Sequence, residues 1–509
     1  MSTGKPNFLI LMADQLTAAA LPAYGNRVAK TPHLDALAER SVVFQSAYCN
    51  SPLCAPSRFA FMSGRLPSKI GAYDNAAELP AQVPTFAHYL RIAGYRTVLS
   101  GKMHFCGPDQ LHGFEERLTT DIYPADFGWT PDWLNFADRP SWYHNMDSVT
   151  QAGPCVRTNQ IDFDDEVVFR AKRQLFDIAR GNDRRPFCMV VSMTHPHDPF
   201  AIPSQYWNRY DEAAIDMPRV RIAAENLDPH SRRLRYVCGM DLQPISDEQI
   251  RAARRAYFGA ISYVDDQIGS LLQTLAEAQL APQTVVLVLA DHGEMLGERG
   301  LWYKMSFFEP ACRIPLLVHA PRQFTPGSVA QSVSLIDVLP TLVELAGDGK
   351  PPQYATELDG RSLLPHLQRG GGHDEVLGEY LAEGAIAPIV MIRRGRHKFI
   401  HCAADPDQLY DLSEDPDELR NLAVARGTAD PLRKEVLRIW ALESLHAQVI
   451  ASQRRRLLVA AALRSGRQSA WDYQPQFDAS EQYVRNDKTL DELEAAARFP
   501  RPAPAPREP

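Results

Sequence analysis

Residues 8–15 read FLILMADQ, an unbroken apolar run that ends in an aspartate and a glutamine. The run has no Lys/Arg-rich lead and passes directly into polar residues, so we predict a buried β-strand and not a signal segment. Residues 285–293 have the same form, VVLVLADHG, and end in Asp291 and His292. Strands that are apolar on both faces are typical of parallel sheets covered by helices on both sides. These two runs predict the interior strands of an α/β fold.

Strand and helix patterns alternate along most of the chain. We predict further strands at 97–101, 188–193 and 315–320, and helices at 33–40, 84–94, 162–181, 247–279 and 337–346. Thr31 is expected to cap the first of these helices. The alternation predicts a mainly parallel sheet flanked by helices. Polar clusters follow the strands directly, at the edge where open α/β sheets bind ligands.

The pattern changes near residue 375. Residues 389–392 and 397–400 flank a short turn that contains Gly395, which predicts a hairpin. With 408–412 they predict a small antiparallel sheet, followed by a helix or helix pair at 432–464. We therefore divide the chain into an α/β catalytic domain (1–374), a C-terminal subdomain (375–464) and a tail (465–509). The tail holds several large aromatic residues, which are unusual in disordered segments, so we expect it to dock on another surface.

Composition excludes several classes of partner. The 509 residues carry a net charge of −8, from 62 acidic and 54 basic side chains, which gives no reason to expect nucleic acid or an anionic membrane as partner. No stretch reaches the ~18–20 apolar residues that span a bilayer. The eight cysteines are scattered without a CxxC pair, which favours free thiols in a reducing compartment. We expect a cytoplasmic protein.

The most distinctive motif lies in residues 50–58, NSPLCAPSR. Pro56 predicts that a helix begins near it, which puts Cys54 at a helix N-terminus, where the dipole and the free N–H groups favour an anion. The alternative is a small buried cysteine before a proline-started helix, with no chemical role.

Cys54, Pro56, Ser57 and Arg58, followed by Ser63-Gly64-Arg65, resemble the signature of the sulfatases of the alkaline phosphatase superfamily. In that family the cysteine is oxidised to formylglycine by a formylglycine-generating enzyme, a transient partner. The hydrated aldehyde is the nucleophile: one hydroxyl attacks sulfur, and loss of a proton from the second expels sulfate. The resemblance implies an alkaline-phosphatase-like fold and a sulfuric ester hydrolase with Cys54 as the modified residue.

A divalent metal site is expected at the two strand ends. Carboxylate and amide oxygens suit Ca²⁺ or Mg²⁺, and an imidazole shifts the preference toward Mn²⁺ or Zn²⁺. Taken alone, Asp14 could be a helix cap and Asp291 a turn residue. The resemblance implies one ion, Ca²⁺ or Mn²⁺, held by the following ligands: Asp14, Gln15, modified Cys54, Asp291 and His292.

The resemblance also implies a sulfate clamp. Its cationic donors would neutralise charge on the transferring group, and they map to Arg58, Lys102, His104 and Lys304, with Asn75 as a further sulfate contact. Lone lysines are otherwise mostly solvated surface residues. His197 matches the histidine that protonates the leaving alkoxide, and His104 is the competing candidate. His195 could be a satisfied core histidine.

A closer resemblance, to choline sulfatases, covers nearly the whole chain. It rests on residues 107–117 (GPDQLHGFEER), 123–131 (YPADFGWTP), 142–145 (WYHN) and on the tail from 471 to 486. A quaternary ammonium group cannot donate hydrogen bonds and is recognised by aromatic faces and carboxylates. The implied choline site consists of Phe127, Trp129, His144, Asn145, Glu383 and, from the tail, Asp491. The alternative is that the aromatic residues only pack the insertion onto the core, and for Trp133 and Trp142 we prefer it.

Our hypothesis is hydrolysis of choline-O-sulfate by a homodimer or homotetramer in which the tail of one subunit reaches the site of its neighbour. Phosphonate monoester or phosphodiester hydrolysis on the same fold is the alternative. A third possibility is a metal-containing binding protein in which Cys54 stays unmodified.

Overall fold

The computed structural model describes residues 4–347, 353–425, 427–466, 471 and 473–476. The strands in these residues are β1 (Asn7–Asp14), β2 (Val42–Tyr48), β3 (Arg96–Gly101), β4 (Glu116–Arg117), β5 (Gly153–Cys155), β6 (Phe187–Pro196), β7 (Ala201–Pro203), β8 (Thr284–Ala290), β9 (Arg313–Ile314), β10 (Leu316–His319), β11 (Gly327–Ser334), β12 (Glu375–Tyr380), β13 (Ile389–Arg394), β14 (His397–Cys402) and β15 (Gln408–Asp411). The α-helices are α1 (Pro32–Ala38), α2 (Cys54–Ser63), α3 (Pro67–Ile70), α4 (Phe86–Ile92), α5 (Asp147–Thr150), α6 (Asn159–Arg180), α7 (Ser204–Trp207), α8 (Pro229–Val237), α9 (Asp247–Glu277), α10 (Glu309–Cys312), α11 (Val338–Ala346), α12 (Leu364–Leu367), α13 (Asp430–Ile439) and α14 (Leu442–Arg464).

The larger sheet orders its strands β11-β2-β10-β8-β1-β6-β3-β4, with β9 paired to β2. β1 runs parallel to β6 and β8, and β3 runs parallel to β6. Only β10 and the short β9 pair in antiparallel fashion among the described strands of this sheet. The predicted α/β fold with a mainly parallel sheet is confirmed.

The central strands explain why polar residues gather at one edge. Every residue of β1, β6 and β8 is buried, and each large aliphatic side chain so buried stabilises the fold by about 1.5–3 kcal/mol. Ala13 pairs with Ala290 and Asp14 with Pro196. The residues that follow these strands therefore meet at the same carboxyl edge.

Two predicted helix starts differ in detail. Thr31 occupies the cap position of α1, but its hydroxyl contacts the Asp35 carboxylate at 3.0 Å and caps no backbone N–H. Asp265 of α9 caps this helix instead, accepting the N–H groups of His33 and Leu34 at 3.2 and 2.7 Å. Helix α2 begins at Cys54 itself, because a proline in the first turn removes only an N–H that has no partner within the helix.

The C-terminal region contains the predicted antiparallel sheet, in the order β12-β13-β14-β15. The predicted hairpin is formed by β13 and β14. The segment 432–464 is a helix pair, α13 and α14. This sheet contacts the 50–58 motif, since the Glu379 N–H of β12 donates to the Asn50 carbonyl at 2.8 Å.

Three other features bear on the sequence predictions. Residues 105–160 are mostly irregular, with β4, α5, β5 and the first two residues of α6 as their regular elements. All eight cysteines are unpaired, as predicted. The described residues include no helix of sufficient length and apolar character to cross a membrane.

Gly101 ends β3 at a place where two backbones nearly touch. Its φ is +104°, and a Cβ there would lie 2.0 Å from the Ser192 carbonyl oxygen of β6. We expect Gly101→Ala to lower the thermal midpoint sharply, because the strain of the left-handed region, roughly 1–2 kcal/mol, adds to a backbone clash.

Gly71→Ala is the matched control, since Gly71 has φ +71° and no atom within 4 Å of the place that a Cβ would occupy. Calorimetry or dye-monitored melting should rank the control between wild type and Gly101→Ala. Equal midpoints for the two variants would show that close packing at Gly101 is unimportant.

Candidate active site

Four potential metal ligands meet at the carboxyl edge of the sheet. One ligand atom each from Asp14, Cys54, Asp291 and His292 lies within 4.8 Å of all the others, and all four residues are buried. The His292 Nδ1 lies 3.0 Å from the Gly293 carbonyl, so the proton belongs on Nδ1 and Nε2 is left to bind a metal. Two carboxylates and one imidazole, beside position 54, fit a divalent ion.

Arg58 joins the ends of four neighbouring strands. Its Nε donates to Asp291 at 2.8 Å, and its Nη1 donates to the Lys102 carbonyl at 2.6 Å and to Ser192 Oγ at 2.9 Å. Its Nη2 lies 3.4 Å from Asp14. Arg58 therefore connects Asp14, Asp291 and the end of β3, while its Nη2 makes no hydrogen bond to the described residues.

The cluster is electrostatically built for an anion at position 54. Burial raises the pKa of Asp14, but the nearby charges of Lys102, His197 and Arg58 outweigh it and hold the pKa below the usual value. Burial likewise opposes ionisation of the Cys54 thiol, yet Lys102, Lys304 and His292 bring its pKa well below the usual value. Position 54 is also the first residue of α2, where the helix dipole favours an anion.

Gln15 and His197 are connected through Lys304. The Lys304 Nζ donates to Gln15 Oε1 at 2.7 Å and lies 2.8 Å from His197 Nε2. The Gln15 Nε2 in turn contacts the Glu294 carboxylate. The predicted ligand Gln15 therefore lies beside the cluster with its amide oxygen on Lys304, while the His197 Nδ1 lies 2.7 Å from the Asp198 carbonyl.

His104 lies on the other side of Cys54. Its backbone has φ +64°, and its N–H donates to Asp121 at 2.7 Å. Neither ring nitrogen makes a well-directed hydrogen bond to the described residues. Burial lowers the pKa of His104, against the opposing effect of the neighbouring Cys54. Asn75 is also close, because its Oδ1 accepts the Ala55 N–H at 3.0 Å.

A row of aromatic rings leads away from the cluster. The rings of Trp142 and Trp129 are stacked at 6.4 Å, and Trp129 lies 5.1 Å from Tyr123. Tyr123 then contacts His104 at 5.2 Å and carries the Lys102 Nζ over its face, 4.1 Å from the ring centre. The row is thus continuous from Lys102 to the half-buried Trp142.

The other residues predicted for substrate binding are placed differently. His144 stacks on Tyr303 at 4.3 Å, and burial together with Lys304 lowers its pKa to about 3. Phe127 contacts the Trp471 ring at 5.3 Å. Asn145 is exposed, and its Oδ1 accepts the Asp147 N–H at 2.8 Å. Asp491 lies outside the described residues.

Glu383 is the unusual carboxylate of the site. It is 6% exposed, and its Oε2 has no hydrogen-bond partner among the described residues. Burial, with a further contribution from Asp74, raises its pKa to about 7. An isolated buried carboxylate is costly unless a cation pairs with it.

Trp133 and Trp142 are the two tryptophans that we expected to have packing roles. Trp133 is 7% exposed and its Nε1 donates to the Ala382 carbonyl at 3.0 Å, as expected of a packing residue. Trp142 stacks on Trp129 and contacts the Tyr143 ring at 4.4 Å, and its packing role stays a prediction. His195 is a core residue, with Nδ1 2.7 Å from Asp164.

Sequence reasoning missed several contributors. The motif alone assigns Ser57 no contact, but its hydroxyl donates to the Asp291 carbonyl and so holds the ligand loop. Asp121 and Ser192 carry no motif of their own. Tyr303 could have been suspected only because it precedes Lys304.

Comparisons with known proteins agree with this geometry. The profile of the family described as Sulfatase matches residues 6–348, and a profile described as Choline sulfatase enzyme C terminal matches residues 447–499. The chain belongs to the sulfatase family. Members of this family are sulfuric ester hydrolases, and they generally use a formylglycine and a divalent metal.

Individual sulfatases and fold neighbours are also similar. A choline-sulfatase from Rhizobium meliloti (strain 1021) is 48% identical, over 98% of this chain and 100% of its own length. An arylsulfatase K from Danio rerio is 28% identical over 83% of this chain and 81% of its own length. The phosphonate monoester hydrolase of Agrobacterium radiobacter superposes with a TM-score of 0.68 at 24% identity, covering 87% of this chain and 96% of the hydrolase. The last likeness concerns the fold alone.

Glu383 provides a pH test of the site. A carboxyl whose pKa is higher in the folded chain than its unfolded value of 4.5 stabilises the fold fully below that value, and the contribution is lost as pH rises through about 7. We expect wild type to lose stability relative to Glu383→Gln between pH 5 and pH 8. The change in the difference of unfolding free energy should be on the order of 3 kcal/mol, and it should appear as a lower thermal midpoint of wild type.

The measurement is a series of melting curves on metal-loaded protein. Glu248→Gln, which replaces an exposed glutamate of α9, is the control. A midpoint difference between wild type and Glu383→Gln that stays constant across this pH range would contradict the prediction.

Proposed function

We propose that this sulfatase hydrolyses choline-O-sulfate to choline and sulfate. The observation that carries the proposal is the continuous aromatic row that starts at the sulfate clamp, with a lone buried carboxylate nearby. The 48% identity to a choline-sulfatase over nearly the full chain supports it.

We assign the anionic end of the substrate to the cluster around position 54. A formylglycine there, when present, would supply the nucleophile of the reaction. Lys102, Lys304 and the N-terminus of α2 are placed to hold sulfate oxygens, and Asn75 lies close enough to add an amide. Arg58 keeps Asp14 and Asp291 at the distances that a metal requires.

We assign proton transfers to the two histidines. His197, whose Nε2 lies 2.8 Å from the Lys304 Nζ, would protonate the leaving alkoxide, and His104 is the competing candidate. His104 lies against position 54, and neither of its ring nitrogens makes a well-directed hydrogen bond to the residues that the structure describes. It is therefore placed to accept a proton from the residue at that position.

We propose that the quaternary ammonium group of the substrate rests on Trp129, with Phe127, His144 and Asn145 around it and Glu383 as the counter-charge. The Trp129 ring lies between those of Tyr123 and Trp142, and aromatic rings attract a cation without hydrogen bonds. Binding of a cation would also draw the Glu383 carboxyl into its ionised form.

The proposed metal site comprises Asp14, Asp291, His292 and position 54, with Gln15 joining once its amide leaves Lys304. The ion is Ca²⁺ or Mn²⁺, and the imidazole favours Mn²⁺. It would polarise the sulfate.

We further propose the division into a catalytic domain (1–374), a C-terminal subdomain (375–464) and a tail (465–509), with a homodimer or homotetramer in which Asp491 serves a neighbour's choline site. The unpaired cysteines support a cytoplasmic location and a reducing environment.

The rival function is hydrolysis of phosphonate monoesters or phosphodiesters, which need no cation site. A panel of choline sulfate, 4-nitrophenyl sulfate and a phosphodiester, assayed on protein of known formylglycine content, decides between them. A higher kcat/KM for the phosphodiester than for choline sulfate would overturn the proposal, and an unmodified Cys54 in active protein would exclude the nucleophile.

Cys54→Ser tests the nucleophile. We expect a folded protein that binds metal but does not turn over, because a serine sulfate ester cannot collapse as the hydrate does. Steady-state assays with multiple turnovers measure this. Cys155→Ser, which changes a half-buried thiol remote from the site, should retain wild-type kinetics, whereas turnover by Cys54→Ser within about tenfold of wild type would refute the mechanism.

Trp129→Ala tests the cation site. We expect KM for choline sulfate to rise by about 5- to 30-fold, which corresponds to a cation–π contact of roughly 1–2 kcal/mol. KM for 4-nitrophenyl sulfate should change far less. Trp207→Ala removes a half-buried indole from α7 and serves as the control. An equal rise in KM for both substrates would show that Trp129 has only a packing role.

A further inference from the structure

A buried ion pair ties the C-terminal helix α14 to the active-site loops. Arg456 of α14 donates to Asp74 through two bonds, Nη1 to Oδ1 at 2.6 Å and Nη2 to Oδ2 at 2.7 Å. Both side chains are buried, and they are 382 residues apart in sequence. The Nη1 also donates to Thr130 Oγ1 at 3.2 Å. One guanidinium thus contacts two segments that are far apart in the sequence.

Each of these segments leads directly to a residue assigned to the substrate. Asp74 precedes Asn75, whose Oδ1 accepts the Ala55 N–H next to the nucleophile. Thr130 follows Trp129, and its hydroxyl donates to the Phe127 carbonyl at 2.8 Å. The first segment therefore belongs to the sulfate end of the site and the second to the cation end.

A second contact of α14 reaches the third segment of the site. Gln453, one helical turn before Arg456, accepts the Trp133 N–H at 3.0 Å. The Trp133 indole then donates to the Ala382 carbonyl at 3.0 Å, next to Glu383. Both α14 residues fall within the 447–499 match to the choline sulfatase C-terminal profile.

We propose that Arg456 is a positioning residue that sets the spacing between the sulfate end and the cation end of the substrate site. This inference rests on the proposed function, because that function assigns Asn75 to the sulfate end of the site and Trp129 to the cation end. A bidentate fork fixes both distance and orientation, which a lysine at the same place cannot do. An aryl sulfate has no cation to place, so it should be indifferent to the spacing.

The experiment separates positioning from simple stability. A single change, Arg456→Met or Asp74→Asn, leaves a buried partner unpaired and should lower the thermal midpoint. The double variant Arg456→Met/Asp74→Asn removes both charges, so most of the stability should return. We nevertheless expect its KM for choline sulfate to stay raised by about tenfold, with KM for 4-nitrophenyl sulfate within about twofold of wild type.

Arg456→Lys and a remote pair complete the comparison. Arg456→Lys should retain stability better than Arg456→Met while its KM for choline sulfate remains raised. Arg209 and Asp266 form a two-bond pair at 3.0 and 2.5 Å in another part of the fold. Their double variant, Arg209→Met/Asp266→Asn, should leave both KM values unchanged.

A crystal structure of the Arg456→Met/Asp74→Asn variant gives a readout that does not depend on the substrate. Displacement of Asn75 or Trp129 by more than about 0.5 Å supports the proposal. Undisplaced side chains, or a wild-type KM for choline sulfate in this variant, would overturn it. If wild type itself does not hydrolyse choline sulfate, the proposed function fails, and the crystal structure still decides on positioning.

Discussion

The Arg58 guanidinium is the contact on which the active site depends. It reaches Asp291, the Lys102 carbonyl, Ser192 and Asp14, which lie on or directly after four neighbouring strands. Two carboxylates buried side by side would repel each other and raise each other's pKa. A planar cation between them removes that repulsion and fixes their separation. The arrangement of the two carboxylates is therefore built into the protein itself.

The same charges that hold the cluster also define its chemistry. Lys102 and Lys304 are buried and face position 54, where the Cys54 thiol already has a lowered pKa. A site that stabilises a thiolate also stabilises sulfate oxygens, since both present concentrated negative charge in a water-poor cavity. The aromatic row beginning at Tyr123 has the opposite character. Substrates that are anionic at one end and cationic at the other fit this contrast.

The C-terminal region is more than a cover for the sheet. The Lys398 ammonium of β14 is buried and donates to the Phe307 carbonyl at 2.7 Å and to Glu418 at 2.8 Å. The turn it holds leads to Ala311, whose carbonyl accepts the Gly293 N–H at 2.8 Å. The C-terminal sheet thus supports the loop that carries Asp291 and His292. Helix α14 supports the segments around Asp74 and Thr130 in a similar way.

The sequence by itself predicted five strands of the larger sheet, their polar ends, the antiparallel hairpin and the Cys54 motif, because local periodicity and turn chemistry control each of them. It did not predict β2 or β11, which also belong to that sheet. It also predicted Asp14, Asp291 and His292 as neighbours, since parallel strands end at one edge. Only the tertiary structure decided which groups satisfy the buried charges. The partners of Arg58, the hydrogen bond of Ser57 to the Asp291 carbonyl and the Arg456–Asp74 pair join residues far apart in the chain. Such contacts leave no local pattern, because they arise when packing excludes water and each buried polar group must find a partner.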